Sequence, residues 1–182
     1  WQMVIGRGSV IGGALMQNAD FVMFTGSTAS GRQIARDAGE RLIGASLELG
    51  GKNAMIVLDD ADIDRAVDGA IAACFPSAGQ LCVSVERLYV ADSVYDRFVS
   101  AFAARTRRLA IGAAYDYSKD VGSLTTASQL SVVSAHVDDA VEHGATVLAG
   151  GRARPDLGPL FYEPTILEGV TTEMTAFEHE RP

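Results

Sequence analysis

Residues 21–32 read FVMFTGSTASGR, and the change of period inside that stretch decides the fold class. Phe21 to Thr25 is a run of apolar and β-branched residues ending at Gly26, the composition of a short strand. From Gly31 to Arg41 the apolar residues Ile34, Ala35, Ala38 and Leu42 instead recur at helical spacing, with Ser30 or Ser27 placed as an N-cap. A strand that turns through a glycine into a helix opens a strand–helix–strand unit, and repetition of that unit makes a largely parallel sheet.

The same alternation continues on both sides of Gly50 and Gly51. Ser46 to Leu49 and Ala54 to Leu58 read as strands, and Asp59, Asp60 and Asp62 stand where a helix over 63–75 needs its cap. That helix carries one apolar stripe, Ile63, Ala66, Val67, Ala70, Ile71 and Cys74. Beyond Pro76 a loop of small residues leads through Gln80, Leu81 and Cys82 into a strand over 87–91, and this loop is the expected seam of the chain. A helix over 94–109 follows, periodic in Tyr95, Phe98, Val99, Phe102, Ala103 and Thr106; a further long helix lies within 123–144 and a strand over 146–149. Pro164 makes 162–166 extended. The predicted class is α/β, with open, largely parallel sheets flanked by helices.

Composition narrows the functions. With 182 residues, 48% apolar and 21% charged, the chain is long enough to bury a sizeable core, so disorder is not expected. The net charge of -8 repels polyanions, and nucleic acid is not expected as a partner. No uncharged stretch reaches the roughly 20 apolar residues that span a bilayer, so no membrane association is expected. Cys74 and Cys82 form no CxxC pair and have no histidine cluster beside them, so no metal site is expected. His136 and His143 share a helix face and read as solvated. Trp1 follows no visible secretory signal, so a cytoplasmic segment of a longer protein is expected.

Three features carry chemistry. The turn Gly26, Ser27, Thr28, with Gly31 opening a helix, offers free helix amides and a hydroxyl to an anion such as a phosphate; a plain strand-to-helix turn explains it equally well. The glycines at 6, 8, 12 and 13 depart from the dinucleotide fingerprint. Cys82 lies in a loop rather than on the stripe that claims Cys74, the placement of a nucleophile, with a buried small hydrophobe as the alternative. Glu48 lies between Leu47 and Leu49 in a short strand before Gly50, where partial desolvation raises a carboxylate into the range of a general base; an edge carboxylate facing water is the alternative.

Taken together, the runs Leu47-Glu48-Leu49-Gly50-Gly51-Lys52-Asn53 and Gly79-Gln80-Leu81-Cys82, with Glu48 and Cys82 34 residues apart, resemble the two signature motifs of the aldehyde dehydrogenase superfamily. Phe24-Thr25-Gly26-Ser27 with Gly31 and Arg32 is similar to its cofactor turn, and Asp59-Asp60-Ala61-Asp62 to its DDAD helix start. The fuller wording is similar to the NADP-linked succinate-semialdehyde dehydrogenase branch. The resemblance covers essentially the whole chain. It implies residues 1–48 as the C-terminal part of an NAD(P)-binding domain and 49–182 as a thiol-bearing catalytic domain truncated at its end.

The activity implied is oxidation of a small aldehyde to a carboxylic acid with NADP or NAD. Cys82 would be the nucleophile and Glu48 the activator of water, with Gly26, Ser27 and Leu49 at the cofactor. Glu180 is the best match to a glutamate that binds the nicotinamide ribose, although Arg181 and Pro182 depart from the family's Phe-Gly-Pro. Succinate semialdehyde is the implied substrate and a homodimer or homotetramer the implied assembly of the parent. Two alternatives stay open: another aliphatic or aromatic aldehyde, and an inactive fragment. Arg87 reads as one half of a structural ion pair.

Overall fold

The structure, a computed structural model, describes residues 1–178 of the chain, with the backbone but not the side chain of Glu178. Glu180 and its neighbours in 179–182 lie outside the described residues. The chain divides into two compact units, Trp1–Gly50 and Gly51–Pro182.

In the first unit α1 (Gly8–Asn18) precedes β1 (Phe21–Gly26), α2 (Thr28–Glu40) and β2 (Gly44–Leu49). β1 and β2 pair in parallel, from Phe21 opposite Gly44 to Gly26 opposite Leu49, which is the strand–helix–strand unit that the change of period predicts. Ser27 is the cap of α2, its Oγ accepting the Ser30 N–H at 3.3 Å. The helix packs close to β2: a Cβ on Gly31 would come within 2.6 Å of a Leu49 methyl group, so the missing side chain sets the approach. Gly31 and Ala38 are its buried residues. Ala35 and Leu42 do not join them. Ala35 is exposed, and Leu42 lies past the last helical turn at φ 57°, 93% exposed, where helical spacing no longer sets its direction.

α1 has no counterpart in the sequence reading, because Gly8, Gly12 and Gly13 weaken the helical signal. Its C-terminal end is secured from outside: the Arg41 guanidinium donates to the carbonyls of Met16 and Ala19, groups that a helix end leaves without internal partners.

The second unit runs β3 (Asn53–Val57), α3 (Ile63–Cys74), a 3₁₀ turn at Pro76–Gly79, β4 (Val85–Val90), α4 (Tyr95–Thr106), α5 (Ala127–Glu142), β5 (Thr146–Ala149), β6 (Ile166–Glu168) and α6 (Thr175–Glu178). β3 and β4 are parallel, with a bulge after the first pair: Asn53 faces Val85 but Ala54 faces Arg87, leaving Glu86 as the extra residue. β5 and β6 are antiparallel. Asp62 caps α3 by accepting the Arg65 N–H at 3.2 Å.

The stripe of α3 meets that of α4. Val57, Ile63, Val67, Ala70, Val94, Phe98 and Phe102 form one buried cluster, with Leu88 and Val90 of β4 packed against it. Phe102 stacks on Phe98 and on Phe75 at centroid separations of 5.6 and 5.9 Å. The loop between α3 and β4 is therefore not a seam, because the elements before and after it share a single core. Smaller clusters centre on Leu124, Val137 and Tyr162, and on Ala140, Ala145 and Met174.

Candidate active site

Four of the candidate residues lie at one end of the β1–β2 pair. Gly26 is opposite Leu49 and Thr25 opposite Glu48. Gly26 is exposed, and a Cβ there would come 2.5 Å from the Phe24 ring, so a side chain at this strand end would have to displace that ring. Ser27 spends its hydroxyl locally: besides capping α2, its Oγ donates to the Ser30 Oγ at 3.1 Å.

Glu48 is exposed, which corrects the expected desolvation. The reason is the pleat. Leu47 and Leu49, the residues that suggested an apolar setting, point to the opposite face from Glu48, and that face is where Gly31 of α2 meets Leu49.

Cys82 belongs to the second unit and is exposed, as are Leu81 and Val83 beside it. The approach to it is unusual backbone. Ser77 and Ala78 sit at φ 52° and 58° in the left-handed region, followed by Gly79 at φ 76°, and a non-glycine residue there costs roughly 1–2 kcal/mol.

Gln80 holds this stretch with both ends of its side chain. Its Nε2 donates to the Ser77 carbonyl at 2.8 Å and to the Ser123 carbonyl at 3.3 Å, while its Oε1 accepts from the Thr125 N–H at 3.0 Å and the Thr125 hydroxyl at 3.1 Å. Cys82 itself lies in a tight turn closed by the Ser84 N–H donating to the Leu81 carbonyl at 3.0 Å. From the first residue of β3, the Asn53 side chain donates to the Cys82 carbonyl at 2.8 Å and to the Ser84 carbonyl at 3.0 Å. Next to Asn53, Lys52 pairs with Glu86, the bulge residue. Asn53 and Gln80 stand inside the two motif runs, yet sequence reasoning gives neither a role; for Gln80 alone, a polar amide two residues before a loop cysteine is an available signal.

Cys74 contrasts with Cys82. It packs against the α3–α4 core, and burial raises its thiol pKa to about 11. Arg87, expected in an ion pair, has none among the described residues; it donates to the Phe177 carbonyl at 2.6 Å and lies over the Phe177 ring, 4.5 Å from its centroid. His143 follows the last residue of α5 and its Nδ1 donates to the Asp139 carbonyl at 2.7 Å, a bond that raises its pKa.

A shallow depression lined by Asp60, Asp62, Asp64 and Arg97 includes none of the candidate residues. Among the described residues no cluster of histidine, cysteine, aspartate or glutamate is placed to hold a metal, and no helix is long and apolar enough to cross a membrane.

The chain is 53% identical over 180 residues to a protein of Mycobacterium ulcerans (strain Agy99) named as a succinate-semialdehyde dehydrogenase (NADP(+)), covering 99% of this chain and 35% of that protein. A protein of Mycolicibacterium smegmatis, likewise named as a succinate-semialdehyde dehydrogenase (NADP(+)), is 53% identical over 178 residues, covering 98% of this chain and 34% of that protein. The chain thus spans about a third of the length of these curated relatives. Among solved structures, a succinate-semialdehyde dehydrogenase from Burkholderia pseudomallei superposes with a TM-score of 0.88 at 38% identity, covering 95% of this chain and 36% of that one. A betaine aldehyde dehydrogenase from Staphylococcus aureus in complex with NAD+ superposes with a TM-score of 0.90 at 33% identity, covering 97% and 36%. The match to the aldehyde dehydrogenase family itself runs from residue 1 to residue 181, and the chain belongs to that family.

Proposed function

We propose that this chain is the central part of a cytoplasmic enzyme that oxidises an aldehyde to a carboxylic acid with NADP or NAD, Cys82 being its nucleophile and Glu48 its general base. The observation that carries the proposal is the placement of Cys82: an exposed thiol at a braced turn, in a chain that matches the aldehyde dehydrogenase family over residues 1–181. In this reading residues 1–48 close the cofactor domain and 49–182 carry the thiol. Succinate semialdehyde is the proposed substrate and NADP the favoured cofactor, both from the names of the relatives at 53% identity.

The chemistry starts at Cys82. Its thiolate adds to the aldehyde carbon, and the carbonyl oxygen becomes an oxyanion that the Cys82 N–H is free to stabilise. When bound, the nicotinamide supplies the hydride acceptor that turns this adduct into a thioester. Glu48 then takes a proton from water, the resulting hydroxide attacks the thioester carbon, and the acid leaves with Cys82 restored as thiolate. An exposed carboxylate suits this step, since water must reach it. For the cofactor, the strand end at Gly26 and the amide end of α2 fit a phosphate: Gly26 is exposed and carries no side chain, and the helix adds its partial positive charge. Leu49 lies beside that end, opposite Gly26. Glu180 stays part of the proposal as the ribose ligand on its resemblance alone.

The test is Glu48→Gln in the full-length protein with succinate semialdehyde and NADP. A stoichiometric burst of reduced cofactor should survive while steady turnover falls by about 10² or more, the scale for removing a general base. An unchanged steady-state rate removes Glu48 from the mechanism, and a Cys82→Ser protein with full activity removes the whole reading. A second reading, that the 182-residue chain by itself is inactive, is favoured by its coverage of about 35% of the relative's length; a cooperative thermal melt of this chain that shifts with NADP would count against it.

A further inference from the structure

We propose that Asn53 is a positioning residue for Cys82, one that fixes the direction of the thiol relative to the Cys82 N–H without touching substrate; the inference rests on Cys82 being the nucleophile.

Two peptide planes meet at the Cα of Cys82, and each is held by one hydrogen bond. The plane between Leu81 and Cys82 is set by the Leu81 carbonyl accepting the Ser84 N–H at 3.0 Å. The plane between Cys82 and Val83 is set by the Cys82 carbonyl accepting from the Asn53 amide at 2.8 Å. With both planes fixed, the backbone angles of Cys82 are fixed, and with them the Cα–Cβ direction along which the sulfur projects. Among the described residues no peptide bond is cis, so each N–H points opposite to the carbonyl of its own plane. The Cys82 N–H therefore points away from the interior of the turn, available to a developing oxyanion.

Asn53 is suited to this work by type and by place. Both of its partners are carbonyl oxygens, Cys82 at 2.8 Å and Ser84 at 3.0 Å, so a group with two donors on one atom is required, and a primary amide supplies it. Asn53 opens β3 opposite Val85, and the bulge at Glu86 lies just beyond, closed by the Lys52 to Glu86 ion pair. Such a bulge re-aims the strand that leaves the turn. On the other flank Gln80 holds the left-handed run 77–79. Without Asn53, one of the two planes at Cys82 is free to rotate while the thiol stays exposed.

That separates two reactions of the same sulfur. Acylation by p-nitrophenyl acetate passes through an oxyanion and needs the sulfur aimed so that this oxyanion falls at the Cys82 N–H; the thiolate adds to the acyl carbon, nitrophenolate leaves, and water later releases acetate. Alkylation by iodoacetamide displaces iodide at carbon, and needs only the thiolate. In the full-length protein Asn53→Ala should slow the pre-steady-state nitrophenolate burst about 10- to 100-fold, the scale of a misplaced or weakened oxyanion donor, while the iodoacetamide rate at Cys82 over pH 6–9 changes less than about threefold. Asn53→Ser keeps one donor and should recover part of the burst rate. Wild-type burst kinetics in Asn53→Ala overturn the inference. So does a parallel fall of both reactions, which reports general loosening of the loop. A burst that survives in Cys82→Ser instead overturns the nucleophile assignment itself.

Discussion

The two cysteines give the most direct test of the fold, because their expected difference can be worked out in advance. Burial against the α3–α4 core raises the Cys74 pKa to about 11. At pH 8 a thiol of pKa about 11 is ionised in about one molecule in a thousand, whereas an ordinary cysteine of pKa about 8.5 is ionised in about one quarter, a difference of about 240-fold. The more basic thiolate is intrinsically the better nucleophile, by about 10- to 20-fold over that interval. Cys74 should therefore react about 20-fold more slowly than an ordinary exposed cysteine, before any steric protection, and Cys82 should be modified first. The assay is iodoacetamide labelling of the chain with peptide mapping by mass spectrometry, repeated at several pH values. The Cys74 rate should rise about tenfold per pH unit from 7 to 9 without levelling off, and the two peptides should label alike in guanidinium chloride. Preferential labelling of Cys74 in the folded chain, or a plateau in its rate near pH 9, refutes the reasoning.

Three further outcomes follow from named contacts. Gly31→Val puts a branched side chain where a Cβ alone would meet Leu49 at 2.6 Å, and should lower stability by about 1–3 kcal/mol in a denaturant melt; an unchanged midpoint means that α2 does not rest on β2 as described. Arg41→Met removes the donor to the Met16 and Ala19 carbonyls; amide exchange in the last turn of α1 should quicken by about fivefold or more, equivalent to about 1 kcal/mol, and unaltered exchange there counts against the capping role. His143 has its pKa raised by the bond to the Asp139 carbonyl, so its contribution to stability is full below the ordinary histidine value of about 6.5 and is lost as pH rises through the higher folded value. An NMR titration should place the His143 midpoint above that ordinary value, and a midpoint at or below it contradicts the contact.

The alternation of strands and helices was legible because it rests on local signals that tertiary contacts here reinforce. Phe21 to Gly26 ends in a glycine and gives way to a helix capped by Ser27; Asp62 opens α3 where the carboxylate run ends; and the stripe containing Val67 and Ala70 is the one that meets Phe98 and Phe102. The Cys74 and Cys82 contrast was legible for the same reason, since one fell on the stripe and the other beyond Pro76. α1 escaped notice because its glycines speak against a helix locally, and an arginine 22 and 25 residues further on secures its end. No window of a dozen residues contains that partner.

The site was less legible, and Glu48 shows why. Its apolar neighbours suggest a desolvating environment, but in a strand the residues on either side point the other way, so Leu47 and Leu49 say where Glu48 does not point. The strand reading was right and the inference from it ran against the strand's own period. Asn53 and Gln80 illustrate a different limit. Each lies in a motif run, yet their partners are 29 to 45 residues away in sequence or are backbone carbonyls, which carry no side-chain signature. A loop position marks a cysteine as a candidate nucleophile. The groups that hold the turn around Cys82 are amides, placed where a carbonyl needs a donor and a left-handed turn needs holding, and that requirement becomes visible once the turn 81–84 has a shape.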